Sequence, residues 1–179
     1  MCSSFFFMFQ MLYISTMNIP DYKKTKTYTV KEALAALMKY CAYQDRCHKE
    51  VEEKLHKMNM IPAAQEQIII QLIQDGFLNE ERFTRSFVRG KFNIKYWGKQ
   101  KIKMHLKQKN IPNHLIKIGM QEIKQDEYIS SLKELANKKW KTLSFSKDLK
   151  TKQKLVQHLL YKGYESSLVY EVVNELIPF

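Results

Sequence analysis

A chain of 179 residues, 45% of them hydrophobic and 27% charged, is long enough to bury a core and too apolar to be a disordered tail. Thirty Lys and Arg against eighteen Asp and Glu leave a net charge of +12, which points to a polyanionic partner: nucleic acid, an anionic membrane or an acidic protein. Five Gly and four Pro are few breaks and favour helices joined by short turns; three cysteines form no even disulfide framework and suit a reducing cytoplasm.

In chain order, the opening stretch MCSSFFFMFQMLYIST carries an apolar run from Phe5 to Ile14 that is too short to span a bilayer as a helix. It lacks the basic region of a secretion signal, and the chain turns polar at Met17. An upstream start assignment is the preferred account, with a peripheral membrane anchor as the alternative. Residues 1–27 are set aside as an extension without a place in the fold.

The rest repeats. Val51, Leu55 and Met60 have the same spacing of four and five residues as Ile102, Leu106 and Ile111, and as Leu155, Leu159 and Tyr164. Asn59, Asn110 and Gly163 precede the last member of each set, and these residue types accept a left-handed helix end. Leu72, Ile123 and Leu176 follow at matching distances. Upstream, Ala33, Leu37 and Met38, then Phe83, Phe87 and Val88, then Ile129, Leu132 and Ala136 each mark one face of a further helix. No segment alternates as a strand would. The spacing therefore predicts an all-α fold of three tandem three-helix repeats, at 28–78, 79–126 and 127–179, forming an elongated, curved molecule whose units lean on one another.

Charge concentrates in the second repeat. From Arg82 to Gln121 there is no acid, while eleven Lys and Arg occur. Arg82, Arg85 and Arg89 fall on one ridge of the first helix, and Lys99, Lys103 and Lys107 on a ridge of the next, where successive side chains lie roughly 6 Å apart, close to a phosphate repeat. The bland reading is a solvated basic face. Lys95 precedes the Trp97-Gly98 pair. Trp97 is either a core anchor leaning on Phe92 and Tyr96 or an exposed platform for stacking a base, and Gly98 is expected to let the chain turn tightly into the following helix. The third repeat is basic but diluted by acids, and the first is mixed.

Catalytic signatures are missing from the pattern: there is no phosphate-binding glycine loop, no HExxH, no CxxC and no nucleophile elbow. Cys41, Cys47 and His48 match no zinc spacing and lack a fourth ligand. No catalytic residue, cofactor, metal or small-molecule substrate is expected.

The segments FLNEERFTRSFVRGK (Phe77 to Lys91) and YWGKQKIKMHLKQKNI (Tyr96 to Ile111) resemble the central repeat of RecX regulatory proteins, with an acidic turn, Arg-Phe, Phe-Val, Trp-Gly, Ile-x-x-x-Leu and Lys-x-Ile in order. The likeness extends over about residues 30–179, with mild departures at Asn79-Glu80-Glu81, Thr84 and Asn110. It implies a monomeric, cytoplasmic, non-enzymatic modulator of the RecA recombinase that acts in recombination, DNA repair and the SOS response. Such a protein binds the RecA filament, meets DNA mainly through it, and lowers its ATP hydrolysis and strand exchange. Under the resemblance Arg82, Arg85, Arg89, Lys95, Lys99, Lys103 and Lys107 are the expected contacts; Trp97 stacks a base only under the second of its two readings. The alternative is a free-standing DNA- or RNA-binding module of short helix pairs, without a RecA partner.

Overall fold

The computed structural model describes residues 27–145 and 148–178. The extension before Tyr28 lies almost wholly outside them, and with it the anchor alternative. Among the described residues there are nine helices and no strand. They are α1 (Val30–Tyr43), α2 (His48–Lys57) and α3 (Pro62–Gln74) in the first unit; α4 (Glu80–Lys95), α5 (Lys99–Gln108) and α6 (Asn113–Met120) in the second; and α7 (Gln125–Thr142), α8 (Leu149–Lys162) and α9 (Ser166–Leu176) in the third. The chain is thus three tandem three-helix units. The last begins at Gln125, just before the position that the spacing suggests.

Local chemistry explains the helix limits. Thr29 caps α1 by accepting from the Glu32 amide while the Glu32 carboxylate accepts from the Thr29 amide. Asn79 accepts from the Arg82 amide to start α4, and Asp148 from the Thr151 amide to start α8. The repeated stop signal works the same way in all three units. Asn59, Asn110 and Gly163 take φ values of 55°, 61° and 90°. The next amide then donates back to a carbonyl five residues earlier: Met60 to Leu55, Ile111 to Leu106 and Tyr164 to Leu159. Every residue of the three spaced triplets is buried except Met60, which is half-buried.

Burial divides the molecule unequally. The first unit has a core of its own, built on Ala33, Leu37, Val51, Leu55, Ile68 and Leu72. The second and third units share one, from Phe83 and Phe92 through Ile102 and Leu106 to Leu132, Leu155 and Val173. Cys47 is the one buried residue that the first unit contributes to this shared core among the described residues.

At the centre of the shared core is Tyr128, fully buried, packed beside Phe92 and stacked on Tyr164 at 5.1 Å between ring centroids. Its hydroxyl accepts from the Lys99 amide at 3.0 Å and donates to the Glu165 carboxylate at 2.5 Å, so one phenol satisfies the first amide of α5 and ties it to the residue that precedes α9. Burial and then the bond to Glu165 push its ionisation far above the usual phenol range. Tyr128→Phe strands both partners and is expected to cost about 1–3 kcal/mol, read as a lower urea midpoint at unchanged helix content.

Backbone meets backbone at the same joint. The Gly98 amide donates to the Lys162 carbonyl at 2.8 Å and the Gln100 amide to the Gly163 carbonyl at 3.0 Å. A Cβ on Gly98 would stand 2.2 Å from the Gly163 carbonyl, and one on Gly163 would stand 2.3 Å from the Lys101 Cβ. Gly98 has φ −72° and ψ 163°, which any residue adopts. The tight-turn expectation for Gly98 is therefore corrected: glycine is needed for the close approach of the third unit.

The joint between the first and second units is polar instead. Arg82 pairs with Asp45 at 2.7 Å, Lys109 with Glu50 at 2.7 Å and His48 with Glu80 at 3.2 Å, while Lys49 donates to the Gln108 carbonyl. Partly exposed Lys and Arg pairs such as Arg82–Asp45 and Lys109–Glu50 contribute about 0–1 kcal/mol each and weaken with salt, so the first unit is the more readily displaced.

Candidate polyanion-binding edge

The candidate site is built on α4, α5 and α6. Phe83, Val88 and Phe92 turn the buried stripe of α4 inward, and α6 lies against it closely enough that a Cβ on Gly119 would meet the Thr84 methyl at 2.7 Å. That packing carries Glu122, just past α6, onto the arginines of α4. Arg85 pairs with Glu122 at 2.6 Å and with Glu81 at 2.9 Å, and Arg89 pairs with Glu122 at 2.9 Å. Arg82, besides Asp45, donates to the carbonyls of Gly76 and Phe77 at 3.0 Å.

The arginine ridge of α4, read from the spacing as part of the contact surface, is thus paired with carboxylates within the molecule. The acid-free span ends one residue short on each side, at Glu81 and Glu122, and the fold brings in Asp45 from the first unit. One of these pairs was legible beforehand, because Glu81 and Arg85 are four residues apart on a helix.

Hydrogen bonds from Arg85 and Arg89 hold the Glu122 carboxyl below its ordinary range. A depressed carboxyl stabilises the fold above its unfolded-state value, and this contribution is lost as pH falls through the folded-state value. The stability gap between the native chain and Glu122→Gln is thus expected to be constant around neutrality and to close below about pH 4.5, followed by thermal melts across pH.

The lysines of α5 behave differently. Ile102 and Leu106 face the core, which leaves Lys99, Lys103 and Lys107 along one flank. The Lys99 ammonium donates to the Gln125 side chain at 3.0 Å and lies 4.4 Å over the Tyr128 ring, with no carboxylate partner among the described residues. Lys103 and Lys107 are exposed and have no partner among the described residues. With Lys117 from α6 they surround a shallow depression of about 320 Å³ floored by Ile116 and Met120, and no acid lines it. Lys117 was not singled out from the sequence; it joins the group because α6 folds back beside α5.

On the other flank of α5 Trp97 is half-buried against the shared core, and His105 stacks on it at 4.6 Å. The Lys91 and Lys101 ammonium groups lie 5.2 and 5.1 Å from its ring centroid. Lys95 is exposed beside Lys91 and Ile94 in a cleft at the border of the first unit.

Cys41 and Cys47 are free thiols pushed up by burial. Among the described residues no three His, Cys, Asp or Glu side chains gather as a metal site, and no helix is long and apolar enough to cross a membrane.

Comparison with known proteins agrees with this architecture. Residues 79–120 match the family model described as "RecX, second three-helix domain", and residues 126–173 the one described as "RecX, third three-helix domain". The regulatory protein RecX of Bacillus cytotoxicus is 27% identical over 147 residues, which are 82% of this chain and 54% of that protein. That of Lactobacillus johnsonii is 27% identical over 161 residues, 89% of this chain and 59% of that protein. The chain thus spans little more than half the length of these curated relatives. A crystal structure of RecX from Lactobacillus salivarius superposes with a TM-score of 0.71 at 26% identity, covering 82% of this chain and 96% of that one.

Proposed function

The chain belongs to the RecX family, and from that premise we propose that it regulates the RecA recombinase, binding the RecA filament on DNA and lowering its ATP hydrolysis and strand exchange. It acts in this reading as a cytoplasmic modulator of recombination and DNA repair, without chemistry of its own.

The observation that carries the reading is the acid-free group of Lys103, Lys107 and Lys117, continued by Lys99. A soluble helix ordinarily disperses like charges, because each pair spaced by four residues costs a few tenths of a kcal/mol. Here three ammonium groups share one depression while the arginines next door are neutralised within the molecule. Phosphates of a filament's DNA, or carboxylates of its protein, supply the missing counter-charge. The arginines fix the scaffold, and the lysines of α5 and α6 make the contact.

The test adds the protein to RecA, single-stranded DNA and ATP. Turnover is expected to fall at or below one copy per RecA; full turnover at saturating protein would rule the reading out. The alternative, a nucleic-acid-binding module without RecA, predicts instead steeply salt-dependent binding to bare DNA and no effect on the filament.

A further inference from the structure

A second basic surface lies at the joint of the second and third units, on the flank of α5 away from Lys103 and Lys107. Residues 101 and 105 project there because each lies about half a turn from the lysine ridge. The Lys101 ammonium donates to the Tyr161 carbonyl at 3.1 Å, and it lies 4.0 Å from the Tyr161 ring centroid and 5.1 Å from that of Trp97. One cation therefore bridges an aromatic residue of each unit. Lys162 donates to the Lys95 carbonyl at 3.1 Å, which brings its ammonium to the same seam.

Three features distinguish this strip from an ordinary solvated face. Tyr161 is 73% exposed, yet its ring is held by a neighbouring charge and by its place on α8. Lys91, Lys101 and Lys162 have no carboxylate partner among the described residues; their contacts are rings and carbonyls. Both local histidines are held below the usual imidazole range, first by burial and then by positive neighbours alone: Lys101, Lys91 and Lys109 for His105, and Lys139 and Lys162 for His158.

The geometry points to a binding strip for single-stranded nucleic acid, in which Tyr161 stacks an unpaired base beside the Trp97-His105 pair and Lys91, Lys101 and Lys162 take the flanking phosphates. An acidic protein would use the ammonium groups but leave the exposed phenol idle. A duplex keeps its bases inside its own stack. Unpaired bases use both, and aromatic side chains with interleaved cations are how such strands are held without sequence preference. Since Lys101 and Tyr161 come from different units, the strip exists only while the Gly98–Gly163 contact is closed.

The test needs no RecA. Fluorescence anisotropy of the full chain is measured with oligothymidylate, with an abasic oligonucleotide of equal length and with polyglutamate. Oligothymidylate is expected to bind the tightest. Tyr161→Ala should weaken it about tenfold without changing the abasic strand, while Tyr161→Phe binds as the native chain does. Lys101→Gln should reduce the slope of log affinity on log salt by about 0.7. Native affinity in Tyr161→Ala, or abasic and polyglutamate binding as tight as oligothymidylate, would overturn the assignment. A Lys103→Glu/Lys107→Glu protein should retain the preference for bases, so failure at the RecA step and failure here remain distinguishable.

Discussion

Gly98→Ala is expected to open the joint between the second and third units and to cost about 3 kcal/mol or more, at the upper end of overpacking effects. The added methyl would stand 2.2 Å from the Gly163 carbonyl and 2.4 Å from the Tyr164 amide nitrogen. Both obstacles are backbone, so neither can swing aside as a side chain would. Relief requires separating the units, which breaks the Gly98–Lys162 and Gln100–Gly163 hydrogen bonds and strains the Tyr128 hydroxyl between Lys99 and Glu165. Gly90→Ala is the control. It lies within α4, where a Cβ meets nothing within 4 Å, and the helix propensity of alanine should stabilise it by up to about 1 kcal/mol. Urea unfolding of the three proteins checks the pair. A Gly98→Ala midpoint equal to that of the native chain would show that the units do not approach as described.

Lys103→Glu combined with Lys107→Glu should raise the concentration needed for half-inhibition of RecA by on the order of a hundredfold, since like charges placed across an interface cost several kcal/mol. Stability should change by no more than about 0.5 kcal/mol, because both side chains are exposed and have no partner among the described residues. Lys99 is left alone in this variant, as its ammonium also covers the Tyr128 ring. The contrasting pair, Arg85→Glu with Arg89→Glu, should behave in the opposite sense. It places like charges around Glu122 and Glu81 and should lower stability first. ATP turnover and thermal melting, measured together on both variants, separate the binding edge from the scaffold.

Much of the fold was legible because its signal is local. The four- and five-residue steps ending at Met60, Ile111 and Tyr164 depend on helix geometry alone, and the asparagines and glycine before them take the left-handed conformation that such an ending needs. What spacing along the chain does not contain is which units share a core. Tyr128 looked like any aromatic residue at the start of a helix, and its role appears only when Lys99 and Glu165 are brought to its hydroxyl.

The charged residues show the same limit. Counting acids between Arg82 and Gln121 treats charge as a property of the sequence interval, whereas neutralisation is decided in space. Glu122 reaches Arg85 and Arg89 because α6 packs on α4, and Asp45 reaches Arg82 across the joint of the first unit. No carboxylate among the described residues pairs with a lysine of α5, while Glu122 is held by the arginines, Glu50 by Lys109 and Glu165 by Tyr128. Helical spacing placed Lys99, Lys103 and Lys107 on one ridge correctly, but only the return of α6 adds Lys117.

Lysine acetylation footprinting on the RecA filament tests the central claim most directly. With the protein held on RecA and single-stranded DNA, modification of Lys103, Lys107 and Lys117 should fall sharply relative to the free chain, while the exposed Lys150 and Lys154 of α8 continue to react. Co-sedimentation with the filament, accompanied by unchanged reactivity at all three lysines, would mean that the protein binds through another surface.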